Sequence, residues 1–133
     1  MRELAVWVLV LPDGKIALQR RTKDAKFSPG LLGFFGGHLD PSETHEQAAL
    51  RELHEETSLD VARLPKKYVA DIRRVKDGDD ALFHIYEAHI DNADFAVFEG
   101  DGVEVYSVAD ALARDDLGET TRQVLTTVWK GNN

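Results

Sequence analysis

The chain has 133 residues, 43% of them hydrophobic, and its 16 basic and 24 acidic side chains give a net charge of −8. This length and apolar content predict one packed domain and exclude a disordered chain, and the acidic balance argues against a nucleic acid polymer as partner. The absence of cysteine excludes disulfides, thiolate catalysis and cysteine-ligated zinc. No apolar run reaches the length of a membrane span and no cleavable leader is recognisable, so we expect a cytoplasmic protein without a membrane partner.

The first part of the chain predicts a β-hairpin followed by a glycine-rich loop. Residues 4–11 form an apolar, β-branched run that ends at a Pro-Asp-Gly turn, and residues 15–21 alternate apolar with polar side chains. Residues 22–37 contain one proline and four glycines, which indicates a loop that leads into a short strand.

The next segment predicts the clearest helix, over residues 44–57. Thr44 with Gln47 three residues later is the signature of a capping box, which makes His45 the first helical residue. Further elements are expected in this order: strands at 68–75 and 81–90 around a turn at 76–80, a strand at 103–106, and helical segments at 108–114 and 119–129. No repeat or linker interrupts the pattern, so a single α/β domain over residues 1–133 is predicted.

Charge is distributed unevenly along the chain. Residues 1–36 carry six basic and three acidic side chains, whereas residues 37–59 carry six acids against Arg51 alone. Residues 60–133 carry nine basic and fifteen acidic side chains. A short, strongly acidic segment therefore follows a basic one.

Much of this local acidity lies on one face of the predicted helix. Glu52, Glu55 and Glu56 are spaced i, i+3 and i+4, so their carboxylates project together and repel one another. A hard cation such as Mg²⁺ or Mn²⁺ would offset this repulsion, since it prefers oxygen ligands and binds together with substrate phosphates. The alternative is a solvated acidic surface, which is common on helices.

Together with the preceding glycine pair, these acids resemble the Nudix box of the Nudix hydrolases. Residues 37–59 read Gly37-x5-Glu43-x7-Arg51-Glu52-Leu53-x-Glu55-Glu56-x-Ser58-Leu59. The match departs from the box at Ser58, where the family has glycine. The box is often preceded by Trp-x-x-Pro-Gly-Gly, and here Leu32-Gly33-Phe34-Phe35-Gly36-Gly37 stands in that place.

The resemblance implies an α/β/α sandwich with a mixed β-sheet. It also implies Mg²⁺-dependent attack of water on a diphosphate linkage in a nucleotide or a nucleoside diphosphate derivative, as in MutT-like enzymes, with Mn²⁺ as a substitute cation. Carried over by position, the implied metal ligands are Glu52, Glu55, Glu56 and the Gly37 carbonyl. Glu52 is also the candidate general base.

Three more positions acquire expected roles from the resemblance. Arg51 would orient the carboxylates, and Glu43 would help to tie the loop to the helix. At Ser58 the glycine of the family often has a positive φ, so we expect strain of about 1 kcal/mol there if that conformation is kept.

Residues outside the box add expectations about catalysis and phosphate binding. Many Nudix enzymes use a later glutamate, for which Glu99 is preferred over Glu104 because glycines flank it. Of Arg20 and Arg21, one is expected to meet a substrate phosphate and the other to be exposed, and Arg20 is chosen.

The cleft is expected to be lined by Gly36, Gly37 and His38, whereas His54 is expected on the surface. Aromatic rings are also candidates to stack on a base, but packing in the core is the preferred interpretation for all four, namely Trp7, Phe34, Phe83 and Trp129.

Two other classes of protein remain as alternatives. One is a Nudix-like module that binds a nucleotide or regulates without cleaving it, and the other is an acidic interaction domain, in which the spacing of residues 37–59 would be coincidence. The substrate, the cleaved bond and the choice between monomer and homodimer are left open by the sequence.

Overall fold

A computed structural model of the protein describes residues 1–129, which form a seven-stranded mixed sheet with helices on both faces. This arrangement confirms the predicted α/β class. The elements in chain order are β1 (Arg2–Val10), β2 (Ile16–Arg20), β3 (Leu32–Gly33), β4 (Phe35–His38), α1 (His45–Glu56), a 3-10 turn (Val61–Arg63), β5 (Lys66–Lys76), β6 (Asp79–His89), β7 (Val103–Tyr106), α2 (Val108–Leu112) and α3 (Glu119–Thr127).

Strand β1 lies at the centre of the sheet and organises it. Along one edge it pairs in parallel with β6 over its whole length. Along the other edge it changes partner, since Leu4–Trp7 pair antiparallel with β4 and Leu9–Val10 pair antiparallel with β2. The predicted hairpin of β1 and β2 is therefore confirmed, but it is confined to the end of β1.

Strands β5 and β6 are longer than expected. The turn predicted over residues 76–80 contracts to Asp77 and Gly78, which have φ values of 51° and 83°. Two adjacent residues with positive φ match the twist of a tight two-residue hairpin. Consequently, β5 extends through Lys76 and β6 begins at Asp79.

Each face of the sheet carries its own apolar core, because side chains of a strand alternate between faces. On the α1 face, Trp7 is fully buried and its Nε1–H donates to the Ala49 carbonyl at 2.7 Å. On the face covered by α3, Trp129 is 5% exposed and packs among Val8, Ile85 and Val124. Core packing is thus confirmed for both tryptophans. Among residues 1–129, none of the helices has the length and apolar character needed to cross a bilayer.

The positive φ that would strain Ser58 is not kept in the structure. Helix α1 ends at Thr57 in an extended conformation (φ −139°, ψ 163°), and Ser58 has no positive φ. The Ser58 N–H donates to the Ala96 carbonyl at 3.0 Å, and its Oγ accepts from the Ala96 N–H at 2.8 Å. Ser58 therefore joins the end of α1 to the segment that leads to Glu99.

We expect Ser58→Ala to lower the free energy of unfolding by about 1 kcal/mol, because the Ala96 N–H loses its acceptor. Ser58→Gly should also destabilise, since no positive φ rewards glycine at this position. Urea denaturation of both variants measures the effect. A Ser58→Gly protein more stable than the parent would contradict the extended conformation.

Candidate active site

A cavity of about 690 Å³ lies beside the central strands and is the setting of the candidate site. Its walls include acidic side chains from α1 and from the loop after β6, apolar side chains from β1 and β6, and basic side chains from β1 and β5. The residues that line the cavity include Val6, Phe83, Glu52, Glu56, Glu99, Arg2, Arg21, Arg74 and Lys76.

The three acids spaced i, i+3 and i+4 on α1 do not share one environment. The Glu52 side chain is 15% exposed and Glu56 is 2% exposed, and both line the cavity. The Glu55 side chain is 54% exposed and lies 3.3 Å from Arg51 Nη1. The spacing i, i+3, i+4 therefore yields two cavity acids and one surface acid.

Arg51 is the hub that connects the acidic helix to the loop before it. Its guanidinium donates to Glu43 at 2.7 and 2.9 Å, to Glu52 at 2.9 Å and to the His38 carbonyl at 3.1 Å. These hydrogen bonds from Arg51 lower the pKa of Glu43 to about 2. The contacts expected of Arg51 and Glu43 are thus present in the structure.

Glu56 occupies the point where β1 changes partner from β4 to β2. Its Oε1 accepts from the Gly36 N–H at 2.8 Å, and its Oε2 lies 3.5 Å from Gln19 Nε2. Burial raises the pKa of Glu56 to about 9, and the charges of Glu52 and Glu99 act in the same direction. The isolated carboxylates therefore repel one another, as the sequence suggested.

The surroundings of Glu52 favour its charged form more than those of Glu56 do. Burial raises the pKa of Glu52 above its usual value, while the hydrogen bond from Arg51 opposes this shift. A carboxylate whose pKa is raised accepts a proton more readily at neutral pH, which suits a general base.

The glycine pair of β4 makes the room that these acids occupy. A Cβ at Gly37 would lie 2.6 Å from the Glu52 carboxyl carbon, and Gly36 has a φ of 144°. A side chain at either position would therefore displace an acid or strain the strand.

The donor set fits a hard divalent cation by its chemistry. Within residues 1–129, no three histidine, cysteine, aspartate or glutamate side chains are close enough to form a ready metal-binding cluster. The predicted ligand Glu55 is turned toward Arg51 instead of joining Glu52 and Glu56. Yet Glu52, Glu56 and Glu99 supply carboxylate oxygens at one cavity, and mutual repulsion is what a bound cation would relieve.

The two candidates for the later glutamate are clearly separated. Glu99 lines the cavity with Glu52 and Glu56. Glu104 instead accepts from Arg20 at 2.7 and 3.0 Å. Position therefore favours Glu99 over Glu104.

Arg20, for which a phosphate contact is expected, is engaged by other groups of the protein. Besides its two bonds to Glu104, its guanidinium donates to Asp116 at 2.9 Å and to the Gly30 carbonyl at 3.1 Å. These partners leave Arg20 outside the cavity lining, whereas Arg21 is part of it. Position therefore favours Arg21 over Arg20 for the expected phosphate contact.

We expect the two arginines to give opposite defects. Arg20→Ala should lower the free energy of unfolding by about 2 kcal/mol, because Glu104 and Asp116 lose charge-assisted hydrogen bonds. Arg21→Ala should leave stability unchanged within about 0.5 kcal/mol and raise KM for a nucleotide about tenfold. Urea denaturation and steady-state kinetics of both variants check this, and an exchanged pattern would contradict the assignment.

Of the remaining predicted residues, some line the cavity and others lie outside it. His38 and Gly36 line it, and His38 Nε2 lies 2.9 Å from Arg2 Nη1. Phe34 and Phe83 line it as well, Phe34 while packing in the core of the α3 face, so a base could contact either ring. His54 is exposed on α1, as expected.

Sequence reasoning missed the basic residues that β1 and β5 contribute. Arg2, Arg74 and Lys76 line the cavity, although they are far from the box along the chain. One signal was available, since residues 72, 74 and 76 alternate in β5 and the buried Ile72 marks their common face.

A model of the NUDIX domain family matches residues 1–128 of the chain. Among curated proteins, the CTP pyrophosphohydrolase of Escherichia coli is 33% identical over 85 residues, covering 64% of this chain and 59% of that protein. The oxidized purine nucleoside triphosphate hydrolase of Danio rerio is 33% identical over 102 residues, covering 77% of this chain and 60% of that protein. The chain thus spans about 60% of the length of these relatives. The crystal structure of DR0079 from Deinococcus radiodurans has the same fold, with a TM-score of 0.82, 19% identity, and coverage of 96% of this chain and 83% of that chain.

Proposed function

The chain belongs to the NUDIX domain family, and on that premise we propose that it hydrolyses a diphosphate linkage in a nucleotide or a nucleoside diphosphate derivative. One observation carries the proposal: Glu52, Glu56 and Glu99 line the same cavity as Arg21, Arg74 and Lys76. Acids that can hold a cation thus lie within one cavity with basic side chains that can bind phosphate, of which Arg74 and Lys76 also pair with Glu119.

The chemistry is a displacement at phosphorus. The oxygen of a water molecule forms a bond to one phosphorus of the linkage, the bond from that phosphorus to the bridging oxygen breaks, and two phosphate-ended products result. Glu52 takes the proton of the water, since it is the cavity acid whose raised pKa is balanced by a hydrogen bond from Arg51. Arg51 keeps Glu52 in place and connects it to the His38–Glu43 loop.

Glu52 and Glu56 would hold Mg²⁺, or Mn²⁺ in its place, with Glu55 and the Gly37 carbonyl as further candidates. A divalent cation held there would supply charge to neutralise the diphosphate and would lower the pKa of a bound water. Glu99 supplies an additional carboxylate from the loop that closes this side of the cavity.

The cavity also suits the rest of a nucleotide. Its volume of about 690 Å³ lies in the range of small-molecule sites. Phe34 and Phe83 offer ring surface for a base, and Arg21, which follows β2, offers charge for a phosphate. The proposal includes one Nudix domain over residues 1–133 that acts in the cytoplasm on a small molecule, as a monomer or a homodimer.

A nucleotide panel tests the proposed function. The panel should include CTP and an oxidised purine triphosphate, which the names of the two relatives suggest, together with ADP-ribose, dinucleoside polyphosphates and coenzyme A. Each compound is incubated with Mg²⁺ or Mn²⁺ and the products are separated by chromatography. Cleavage of one compound in a cation-dependent manner supports an enzyme. Binding without cleavage of any compound would instead support the nucleotide-binding module.

A further inference from the structure

Gln19 is a buried polar residue whose presence packing does not explain. It lies in β2, is 2% exposed, and follows Ile16, Ala17 and Leu18, which are fully buried. Its Oε1 is the only buried side-chain oxygen or nitrogen without a hydrogen-bond partner among residues 1–129. A buried acceptor without a donor costs about 1–3 kcal/mol, whereas an apolar side chain of the same length would carry no such cost.

The other half of the same amide is fully used. Gln19 Nε2 donates to the Glu99 carbonyl at 2.9 Å and lies 3.5 Å from Glu56 Oε2. The Glu99 carbonyl only accepts, so the NH₂ group must face it and the oxygen is left over. The amide thus connects a cavity acid of α1 to the backbone of the residue that carries the loop acid.

The surrounding loop is fitted closely around this amide. A Cβ at Gly100 would lie 2.6 Å from the Arg20 carbonyl oxygen and 3.2 Å from Gln19 Nε2. On either side of this point, the Phe98 N–H donates to the Glu56 carbonyl at 2.7 Å and the Asp101 N–H donates to the Arg20 carbonyl at 2.8 Å. The loop is therefore attached to α1 and β2 by its backbone, and Gln19 is the side chain that holds it at Glu99.

We propose that Gln19 is a positioning residue, which holds the Glu99 loop against Glu56 and so sets the separation of the two acids. This inference rests on the proposed function for its kinetic consequence, but not for its structural one. It also explains why an amide with one unpartnered atom occupies a position in a buried strand, because stability is given up for the placement of the two acids.

Gln19→Met tests the proposal, because methionine matches glutamine in length and has no donor. Gln123→Met on α3 is the matched control. We expect the Phe98 and Asp101 amides of Gln19→Met to exchange hydrogen at least about tenfold faster than in the parent and the control. We also expect its dissociation constant for Mn²⁺, measured by titration calorimetry without nucleotide, to rise about tenfold. The melting temperature should change little, because removal of the unpartnered oxygen offsets the loss of the hydrogen bond to the Glu99 carbonyl.

Steady-state kinetics distinguish a positioning role of Gln19 from a purely structural role. We expect kcat to fall about tenfold with KM unchanged, and Gln19→Met combined with Glu99→Gln to be no slower than Glu99→Gln alone. Additive losses in the double variant would overturn the proposal. Parent-like exchange and Mn²⁺ affinity in Gln19→Met would overturn it as well, whatever the activity.

The role of Gln19 can still be tested if Gln19→Met does not fold or if the parent protein shows no activity. If Gln19→Met does not fold, Gln19→Glu preserves shape while it replaces the donor by an acceptor, and the same faster exchange is expected. If the parent protein cleaves no nucleotide, the proposed function fails, but hydrogen exchange and Mn²⁺ binding still decide the role of Gln19.

Discussion

Replacing both Glu52 and Glu56 by glutamine is expected to lower cation-dependent hydrolysis by at least about a hundredfold while the fold persists. The two substitutions remove both cavity carboxylates of α1, including the proposed proton acceptor Glu52, but they keep the size of each side chain. The Gly36 N–H can still donate to the side-chain oxygen at position 56. Steady-state rates with Mg²⁺ and circular dichroism measure the two properties separately. Glu46→Gln, an exposed change in the first turn of the same helix, is the control.

Without metal, the single variant Glu56→Gln should be more stable than the parent at pH 8 and equally stable at pH 4. The pKa of Glu56 is about 9 in the folded protein against an ordinary value of 4.5. Below pH 4.5 the carboxyl is protonated in both states, and as the pH rises toward 9 only the unfolded chain loses the proton. The parent therefore loses stability over this range, and the glutamine variant does not.

Melting curves at both pH values, with EDTA and with Mg²⁺, check this expectation. Mg²⁺ should raise the melting temperature of the parent and leave that of the Glu52→Gln, Glu56→Gln protein unchanged. If the double variant hydrolyses as fast as the parent, the site is misassigned. If Glu56→Gln is less stable than the parent at pH 8 with EDTA, the burial of a repelled carboxyl is the wrong description.

Alanine substitutions at the adjacent residues Gly36 and Gly37 should cause different defects. In Gly36→Ala the new Cβ would run into the Ala5 carbonyl oxygen and lie 2.7 Å from Val6 Cα, at a φ of 144°. Neither backbone atom can move without disturbing β1, so we expect a loss of about 3 kcal/mol in the free energy of unfolding. Urea denaturation measures this loss.

In Gly37→Ala the new Cβ meets only the far end of a flexible side chain, at 2.6 Å from the Glu52 carboxyl group. Glu52 can swing away, so stability should change by less than about 1 kcal/mol, whereas displacement of the proton acceptor should lower kcat about a hundredfold. Gly33→Ala is the stability control, because its Cβ would meet Thr121 Oγ1 at 3.6 Å. Equal stability of the Gly36 and Gly37 variants would show that β4 does not pack against β1 as described.

Features set by neighbouring residues were predictable from the sequence. The capping box of Thr44 and Gln47 is present, with the Gln47 N–H donating to Thr44 Oγ1 at 3.1 Å and the Thr44 N–H to Gln47 Oε1 at 3.0 Å. Such contacts depend only on the spacing along one helix. The spacing of Glu52 and Glu56 placed both acids on one face by the same local rule.

Features set by strand pairing were not predictable in this way. Whether Arg20 or Arg21 meets the cavity depends on Glu104 and Asp116, which lie more than eighty residues further along the chain. Whether Ser58 keeps the positive φ of the glycine in related sequences could not be decided from the sequence, because the chain leaves α1 in an extended conformation and Ser58 bonds to the distant Ala96. Gln19 was overlooked because its partners, Glu56 and the Glu99 carbonyl, are brought to it only by the fold.

The parallel pairing of β1 with β6 has a consequence for how the protein assembles during synthesis. Residues 2–10 can pair with residues 81–89 only after the latter have been synthesised. Closing so long a stretch of chain is slow because of its entropy cost. The acidic helix is translated well before that partner strand, and Thr120 and Thr121, which complete the cavity wall, follow later still. The nascent chain therefore exposes its acids before the cavity is complete, and a ligand of that cavity should be bound only at the end of folding.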